Sequence, residues 1–380
     1  PGLDPVAARE AGVCYQPFTI GDPWGPAWGT TWFHITGSLP EQADEHPIEL
    51  MLDLGWQQHS PGFQSEGLVY RPDGSVVKAL NPRNTWIPVE GRPGAPVDLY
   101  VEAAANPLLL DVHPFLPTQE GDKATSSHNP IYHLVRADIT VMNRQVWELV
   151  ADLDVLDQLQ AALDLGEPRR WNILKALERA LDALELSDIA GTAAAARREL
   201  VEVLSAPANA SAHTVTAIGH AHIDSAWLWP IRETVRKVAR TASNVVNLLD
   251  TNPDFQFAMS SAQQYAWIKE YRPEVFERVK AAVAQGRFVP VGGMWVESDT
   301  NMVGSEAMVR QFSHGQRFFR ENFGMQSEEA WLPDSFGYSA ALPQIVRLSG
   351  LRWFLTQKIS WNQTNLFPHH SFRWEGIDGT

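Results

Sequence analysis

The chain has 380 residues, of which 44% are hydrophobic and 20% charged, and its formal net charge is -15. This length fits two or three domains, and the acidic balance argues against a nucleic-acid partner or an anionic membrane surface, since either would favour a basic face. No apolar run reaches the roughly 18–20 residues of a membrane-spanning helix, so we predict no membrane partner.

Cys14 is the only cysteine, so no disulfide can form within the chain, which is compatible with a reducing compartment. The chain starts at Pro1 rather than at a methionine and stops at Thr380. We expect it to be part of a longer polypeptide. Whether it forms a homo-oligomer is left open by the sequence.

Residues 1–140 are predicted to form a β-rich N-terminal domain. Short apolar runs such as TTWFHITG, PIELMLDLGW and VDLYVEAAA alternate with turn residues, and PDGS at 72–75 is typical of a hairpin. Several short strands at this spacing predict a β-sandwich. Trp24, Trp28 and Trp32 either pack in its core or bind carbohydrate, and we favour the core.

Residues 141–212 show the periodicity of a helical connector. VWELVADLDVLDQLQAALD places its apolar residues at helical spacing, and EPRRWNILKALERALDALEL repeats this pattern after Pro168, a favourable first helical residue. GTAAAARRELVEVL predicts a third helix, and SAPANASA at 205–212 has the composition of a linker.

Strand and helix patterns alternate over residues 213–380. The predicted strands are HTVTAIG, FQFAMS, FVPVGGMW, EAWLPD and WFLTQK. The predicted helices are RETVRKVARTASNVVNLL, YAWIKEYRPEVFERVKAAVAQG, SEAMVRQFSHGQRFFRENFG and LPQIVRLSG. Five β/α units predict a parallel sheet or a barrel, so the expected fold class is α/β.

Polar residues follow these strands at their carboxyl ends. They are His220, His222 and Asp224 after the first strand, Gln263 and Gln264 after the second, Trp295, Glu297 and Asp299 after the third, Asp334 after the fourth and Lys358 after the fifth. Parallel α/β sheets and barrels build their active sites at this edge. The coincidence indicates an enzyme.

The stretch GHAHIDSAWLWP at 219–230 suggests a metal site. Residues i and i+2 of an extended segment point the same way, so His220, His222 and Asp224 could converge. Imidazole and carboxylate suit zinc or a similar divalent ion, and we favour this interpretation for His222 with Asp224. His220 alone is better explained as a core histidine, whereas Trp227 is expected beside the pocket.

Two further segments offer carboxylates. Asp334 in WLPDSFGYS is placed as a nucleophile or a metal ligand, although an aspartate before a helix can also be an N-cap. WVESD at 295–299 adds Trp295, Glu297 and Asp299, and such residues either bind sugar hydroxyls or cap the next helix.

Several long sequence segments, in the order in which they occur, resemble glycoside hydrolase family 38, the class II α-mannosidases, and in particular its cytosolic branch. They are GHAHIDSAWLWP, SSAQQYAW, VGGMWVESDTNM, EAMVRQF, WLPDSFGYSAALPQI and QKISWNQTNLFPHHSFRWEGIDGT, with a looser likeness upstream in QSEGLVYRPDG. The resemblance implies a barrel-like β/α catalytic domain over 213–380, incomplete at its C-terminus, and a cytoplasmic location. It also implies mannose-containing oligosaccharides as substrates.

The resemblance further implies one divalent metal, Zn²⁺ or alternatively Co²⁺, bound by His222, Asp224 and Asp334. Asp334 becomes the nucleophile of a retaining hydrolysis through a covalent mannosyl-aspartate, and His220 takes a supporting role. Trp227, Trp295 and Asp299 are the expected substrate contacts. The general acid and a second histidine ligand are expected beyond Thr380, because His369 and His370 come too early; this chain alone should then turn over negligibly.

Three alternatives remain. An amidohydrolase would use His220 and His222 as paired ligands for a metal-activated water. A polysaccharide deacetylase would release acetate instead of mannose. A non-catalytic carbohydrate-binding module would use the N-terminal tryptophans. None of these accounts for the long ordered run of phrases, and we favour the mannosidase.

Overall fold

The computed structural model describes residues 5–10, 12–44, 46–109, 119–122 and 124–380. The strands are β1 Pro23–Pro26, β2 Thr30–Ser38, β3 Ile48–Asp53, β4 Glu66–Tyr70, β5 Val76–Leu80, β6 Trp86–Val89, β7 Pro96–Ala104, β8 Pro130–His133, β9 Arg136–Val141, β10 Gly219–His220, β11 Phe257–Met259, β12 Phe288–Pro290, β13 Glu329–Trp331 and β14 Trp353–Leu355. The helices are α1 Pro5–Ala8, α2 Arg144–Ala162, α3 Pro168–Asp182, α4 Ile189–Ser205, α5 Ile231–Thr251, α6 Ala262–Tyr271, α7 Pro273–Ala284, α8 Ser305–Phe323 and α9 Leu342–Leu348, and 3₁₀ turns cover Glu41–Asp44, Gln119–Gly121 and Lys358–Trp361. Within these ranges, no helix combines the length and the apolar character needed to cross a bilayer.

The N-terminal strands form antiparallel sheets, in agreement with the predicted β-rich domain. One sheet has the order β2-β7-β4-β5, a second has the order β6-β3-β9, and β1 pairs with β8. Their apolar side chains share one core, with Phe33, Val69 and Val101 from the first sheet and Leu50 and Ile87 from the second. We call β1–β9 the sandwich. The hairpin predicted at 72–75 is confirmed between β4 and β5.

Trp24 and Trp28 are buried, at 2% and 6% exposure. Their indole N–H groups donate to backbone carbonyls, Trp24 to Leu54 at 2.9 Å and Trp28 to Glu120 at 2.7 Å. Trp32 is half-buried and packs against Tyr70. The first two rings therefore have no face open to a sugar, and their core role is confirmed.

The connector consists of α2, α3 and α4, packed around a shared apolar core that includes Leu156, Ile173 and Leu200. Asn143 caps α2 and Asp188 caps α4 through side-chain oxygens, and Pro168 is the first residue of α3. These caps satisfy backbone donors that a helix start leaves free. The three predicted helices are confirmed.

The parallel part departs from prediction at its first strand. HTVTAIG was expected to be extended throughout, but β10 covers only Gly219–His220 and Val215 is 85% exposed. β10 pairs with β11 at two positions only. A β-branched run gains from strand geometry when a neighbour supplies hydrogen bonds and packing, and no described strand lies beside residues 213–218.

The remaining units follow the predicted order, with shorter strands. The long second helix of the prediction is interrupted, since α6 ends at Tyr271 and α7 begins at Pro273. Proline lacks the N–H that would continue the helix and disfavours helical backbone in the residue before it.

Parallel pairing links β10-β11-β12 in one sheet and β13-β14 in another. Among the described residues the two sheets are not joined by backbone pairing, so the chain is mixed α/β and closure into a barrel stays a prediction. Helix α5 covers the free edge of the sandwich at β5. Asn244 Oδ1 accepts from the backbone N–H of Ala79 at 2.8 Å, and Asn247 donates to the Val77 carbonyl.

Buried charges join α5 to the sandwich. Glu66 of β4 pairs with Lys237 and, at 2.6 Å, with Arg240, which also bonds Glu233 at 2.6 Å. All four side chains are at least nine-tenths buried. A buried charge is tolerated only when it is paired and hydrogen-bonded, so this network fixes how α5 lies on the sandwich.

Candidate active site

The loops that follow four parallel strands surround a cavity of about 570 Å³. Residues 222–227 come after β10, Gln263 after β11, residues 296–299 after β12 and residues 334–336 after β13. The turn that leads from β12 to this wall needs glycine, because Gly292 and Gly293 have φ of 89° and 65°. The strand ends thus bring most of the predicted polar residues to one place.

His222, Asp224 and Asp334 form a group that could hold a metal ion. One ligand atom from each lies within 4.8 Å of the others. His222 Nε2 is 3.5 Å from Asp224 Oδ1 and 3.2 Å from Asp334 Oδ2. One imidazole and two carboxylates match the ligand preferences of zinc and other divalent ions.

Glu297 connects His222 to Asp334 from another side. Its Oε2 lies 3.1 Å from His222 Nδ1, at ion-pair distance, and its Oε1 accepts a 2.6 Å hydrogen bond from the backbone N–H of Asp334. The backbone N–H of Glu297 donates to Ser261 Oγ at 3.2 Å. A carboxylate at Nδ1 favours the tautomer that leaves Nε2 free to bind an ion.

Lys358 pairs with Asp334 from the end of the fifth strand. Its Nζ lies 2.5 Å from Asp334 Oδ1, and its side chain is 7% exposed. The ammonium also lies 3.2 Å from the ring centroid of Trp361 and 4.6 Å from that of Phe336. The two carboxylate oxygens of Asp334 therefore have different partners: Lys358 at Oδ1 and His222 at Oδ2.

The site attracts positive charge. Asp224, Glu297 and Asp334 face one lysine, Lys358, which leaves two negative charges uncompensated when His222 is neutral. Burial alone would lower the pKa of His222, but the hydrogen bonds and charges of Asp224 and Glu297 outweigh burial and raise it to about 10. A divalent ion at Nε2 would supply the charge that this proton otherwise brings, so the donor set fits a metal.

His220 lies outside the metal-ligand group. Its Nδ1 is 2.8 Å from the Ala258 carbonyl, and its ring packs edge-to-face on Trp331 at 5.2 Å. Burial lowers its pKa, and its Nε2 has no hydrogen-bond partner among the described residues. These surroundings are those of a neutral histidine that supports the strand end.

The three predicted substrate contacts differ in placement. Trp227 lines the cavity and is 40% exposed. Asp299 also lines it, but its Oδ1 accepts from the backbone N–H groups of Asn301 and Met302 at 2.8 and 2.7 Å. Trp295 is not among the lining residues. Its indole N–H donates to Gln263 Oε1 at 3.0 Å, so Trp295 helps to position the side chain of Gln263, which does line the cavity.

Sequence reasoning gave no role to Trp267 and Phe336, which also line the cavity. Both occur in phrases already singled out, SSAQQYAW and WLPDSFGYS, close to strand-end polar residues. The sequence indicated Lys358 only by its position and Glu297 only as a possible sugar contact or helix cap. Their contacts with His222 and Asp334 depend on loop conformation, which periodicity does not encode.

Two regions of the chain match models of known protein families. Residues 212–380 match the glycosyl hydrolases family 38 N-terminal domain, and residues 2–140 match the alpha-mannosidase jelly roll domain. The predicted resemblance to this family is thereby confirmed, and the candidate cavity lies in the part of the chain that matches the family 38 domain.

Three curated relatives match nearly the whole chain. Alpha-mannosidase 2C1 of Homo sapiens is 40% identical over 96% of this chain, the alpha-mannosidase of Saccharomyces cerevisiae 35% over 96%, and alpha-mannosidase G of Dictyostelium discoideum 33% over 100%. The chain spans about a third of the length of each relative, 34%. An alpha-mannosidase structure from Enterococcus faecalis V583 matches 37% of this chain and 16% of its own at 26% identity, but its TM-score of 0.35 carries no argument about the fold.

Proposed function

We propose that this chain carries the metal site and the nucleophile of a retaining α-mannosidase that acts on terminal α-mannosyl residues of oligosaccharides. One observation supports this most directly: Asp334 projects from a strand end of the family 38 segment with Oδ2 in the metal-ligand group and Oδ1 paired to Lys358. The relatives named as alpha-mannosidases support the substrate class.

His222, Asp224 and Asp334 would hold the ion, Zn²⁺ or alternatively Co²⁺. When bound, the ion would coordinate adjacent hydroxyls of the sugar and favour distortion of the ring towards the oxocarbenium-like transition state. Glu297 orients His222 by its contact at Nδ1. The mannosyl ring would lie in the cavity beside Trp227, which is one of the lining residues.

Asp334 would attack the anomeric carbon. A bond forms between one of its carboxylate oxygens and that carbon while the bond to the leaving oxygen breaks, and a general acid must give the leaving oxygen its proton. Lys358 holds the carboxylate in one orientation and balances its charge. On the resemblance to family 38, we expect the acid and a second histidine ligand outside these 380 residues, and therefore metal binding but negligible turnover from this chain alone.

The single cysteine and the resemblance to the cytosolic branch support a cytoplasmic location. Neither feature bears on self-association, and a homo-oligomer is left open.

Metal content tests the proposed ligands. After dialysis against Zn²⁺ or Co²⁺, we expect about one ion per wild-type chain, and at least tenfold weaker binding for Asp224→Ala and Asp334→Ala. Asp299→Ala is the matched control, because this carboxylate lines the same cavity outside the ligand group. Loss of the ion through His220→Ala with full retention in Asp224→Ala would instead point to an amidohydrolase.

Sugar binding tests the substrate class. Methyl α-mannoside should raise the melting temperature of the metal-loaded protein and leave that of the metal-free protein unchanged. Methyl α-glucoside, the epimer at C2, should stabilise much less, because the ion would contact the hydroxyl at that carbon. Equal stabilisation by both sugars, or a response that does not need metal, would refute the proposed mannose site.

A further inference from the structure

The loop between β10 and α5, residues 221–230, carries two proposed metal ligands and Trp227. We propose that Thr234, in the first turns of α5, is a positioning residue for this loop and therefore for the ion. The inference rests on the metal site of the proposed function. It adds a residue that touches neither the ligands nor the cavity.

One hydroxyl ties both ends of the loop segment that follows the ligands. Thr234 Oγ1 accepts a 3.0 Å hydrogen bond from the indole N–H of Trp229 and donates a 3.1 Å hydrogen bond to the carbonyl of Ser225. Ser225 directly follows Asp224. Thr234 is completely buried, at 0% exposure. The hydroxyl thus uses its donor and one acceptor site to close residues 225–229 onto the helix.

The same segment is braced by the sandwich. The ring of Trp229 packs against Phe63 at 5.4 Å, and Lys237 Nζ lies 4.7 Å from its centroid. Lys237 is fixed in turn by Glu66 and by the carbonyl of Gly62, at 2.8 Å. A continuous set of contacts therefore runs from the sandwich through α5 and Thr234 to the residue after Asp224.

Removal of the hydroxyl without loss of bulk isolates this role. Thr234→Val keeps the branched shape but removes the partner of the Trp229 donor and of the Ser225 carbonyl, which are both partly buried. The loop is then no longer tied to α5 at these two points, and we expect it to shift and to displace Asp224 from His222 and Asp334. Residues that orient metal ligands typically change affinity by about 10–100-fold, so we expect about tenfold weaker metal binding.

Two variants separate positioning from general destabilisation. Thr234→Ser retains the hydroxyl and should restore both hydrogen bonds. Ser243→Ala removes another buried hydroxyl of α5, which donates only to the Ala239 carbonyl within the helix. It therefore serves as the matched control.

The experiment uses the 380-residue chain and two readouts. Exchange of the Trp229 indole N–H, followed by ¹⁵N NMR in the metal-free protein, reports on the loop itself. Titration with Co²⁺, followed by visible absorption, gives the affinity and the coordination geometry. We expect Thr234→Val to show at least tenfold faster indole exchange, about tenfold weaker Co²⁺ binding and an altered band, with Thr234→Ser and Ser243→Ala within twofold of wild type.

Wild-type Co²⁺ affinity and band in Thr234→Val would overturn the inference, and so would an equal loss in Ser243→Ala. Absence of Co²⁺ binding by the wild-type chain is a different result, because it would refute the proposed metal site itself.

Discussion

Substitution of Glu66 by glutamine should loosen α5 from the sandwich. Glu66 is the carboxylate through which β4 binds Lys237 and Arg240, and both cations are almost fully buried. Glutamine keeps the shape and one hydrogen-bond acceptor but removes the negative charge. The two cations are not affected equally, because Arg240 still pairs with Glu233 at 2.6 Å.

The expected loss in the free energy of unfolding depends on Lys237, the cation that loses its carboxylate partner. Lys237 retains the carbonyl of Gly62 and the face of Trp229 but loses its only carboxylate partner among the described residues. Breaking a buried ion pair on one side typically costs about 3–5 kcal/mol. Since Arg240 stays paired, we expect the lower end, about 3 kcal/mol in the free energy of unfolding.

Urea unfolding followed by tryptophan fluorescence and by far-UV circular dichroism measures this loss. Glu306→Gln provides the control, because Glu306 forms an exposed pair with Arg310 at 2.9 Å on α8. Such i,i+4 surface pairs contribute only about 0.3–0.5 kcal/mol. A loss below about 1 kcal/mol for Glu66→Gln, or one no larger than in the control, would refute the buried network.

The same pair predicts a pH dependence. Burial raises the pKa of Glu66, but the charges and hydrogen bonds of Lys237 and Arg240 outweigh burial and lower it below its ordinary value of 4.5. A depressed folded-state pKa contributes stability above the ordinary pKa, and this stability is lost as the pH falls through the folded-state value. Below about pH 4.5, the free energy of unfolding measured in urea should therefore fall less steeply with decreasing pH for Glu66→Gln than for wild type.

Other predictions concern the site and the sandwich core. Glu297→Gln should weaken Zn²⁺ binding about tenfold by isothermal titration, because His222 loses its orienting carboxylate; unchanged affinity would contradict that role. Lys358→Met should tighten Zn²⁺ binding several-fold by removing a cation 2.5 Å from Asp334, whereas weaker binding would show that the lysine chiefly orients the ligand. Trp24→Ala should cost about 3–5 kcal/mol in urea unfolding and leave methyl α-mannoside binding unchanged, and loss of sugar binding without loss of stability would revive a carbohydrate-binding role.

Hydrophobic periodicity correctly predicted the helices and strands whose apolar residues recur at regular spacing and face the core. Helix α5 has an apolar stripe that includes Val238, Ala242 and Leu249, and all three lie in the core of the parallel part. β3 alternates buried and half-buried residues as a strand of a sandwich should. The run at 213–218 has equally strong β propensity, but no strand among the described residues pairs with it, and a single sequence does not show whether such a neighbour exists.

The candidate site divides in the same way. His222, Asp224 and Asp334 could be named in advance because strand ends and ligand types restrict where such residues lie. Lys358 could not be given a partner from the sequence: the distance to Asp334 depends on how the loop after β13 and the turn after β14 pack on Phe336 and Trp361. Contacts between two loops follow from tertiary packing, and the hydrophobic pattern of a sequence does not predict them.

None of the described residues of the sandwich lines the 570 Å³ cavity, yet the charges of the sandwich help to position the loop that carries His222 and Asp224. Arg236 pairs with Glu102 of β7 at 3.0 Å, and Lys237 and Arg240 pair with Glu66 of β4, all from one face of α5. Without the sandwich these cations would lose those carboxylate partners, and α5 would be free to shift. Because α5 begins directly after the loop, its displacement would reach Asp224 within a few residues. The positions of His222 and Asp224 should therefore depend on correct assembly of α5 on the sandwich.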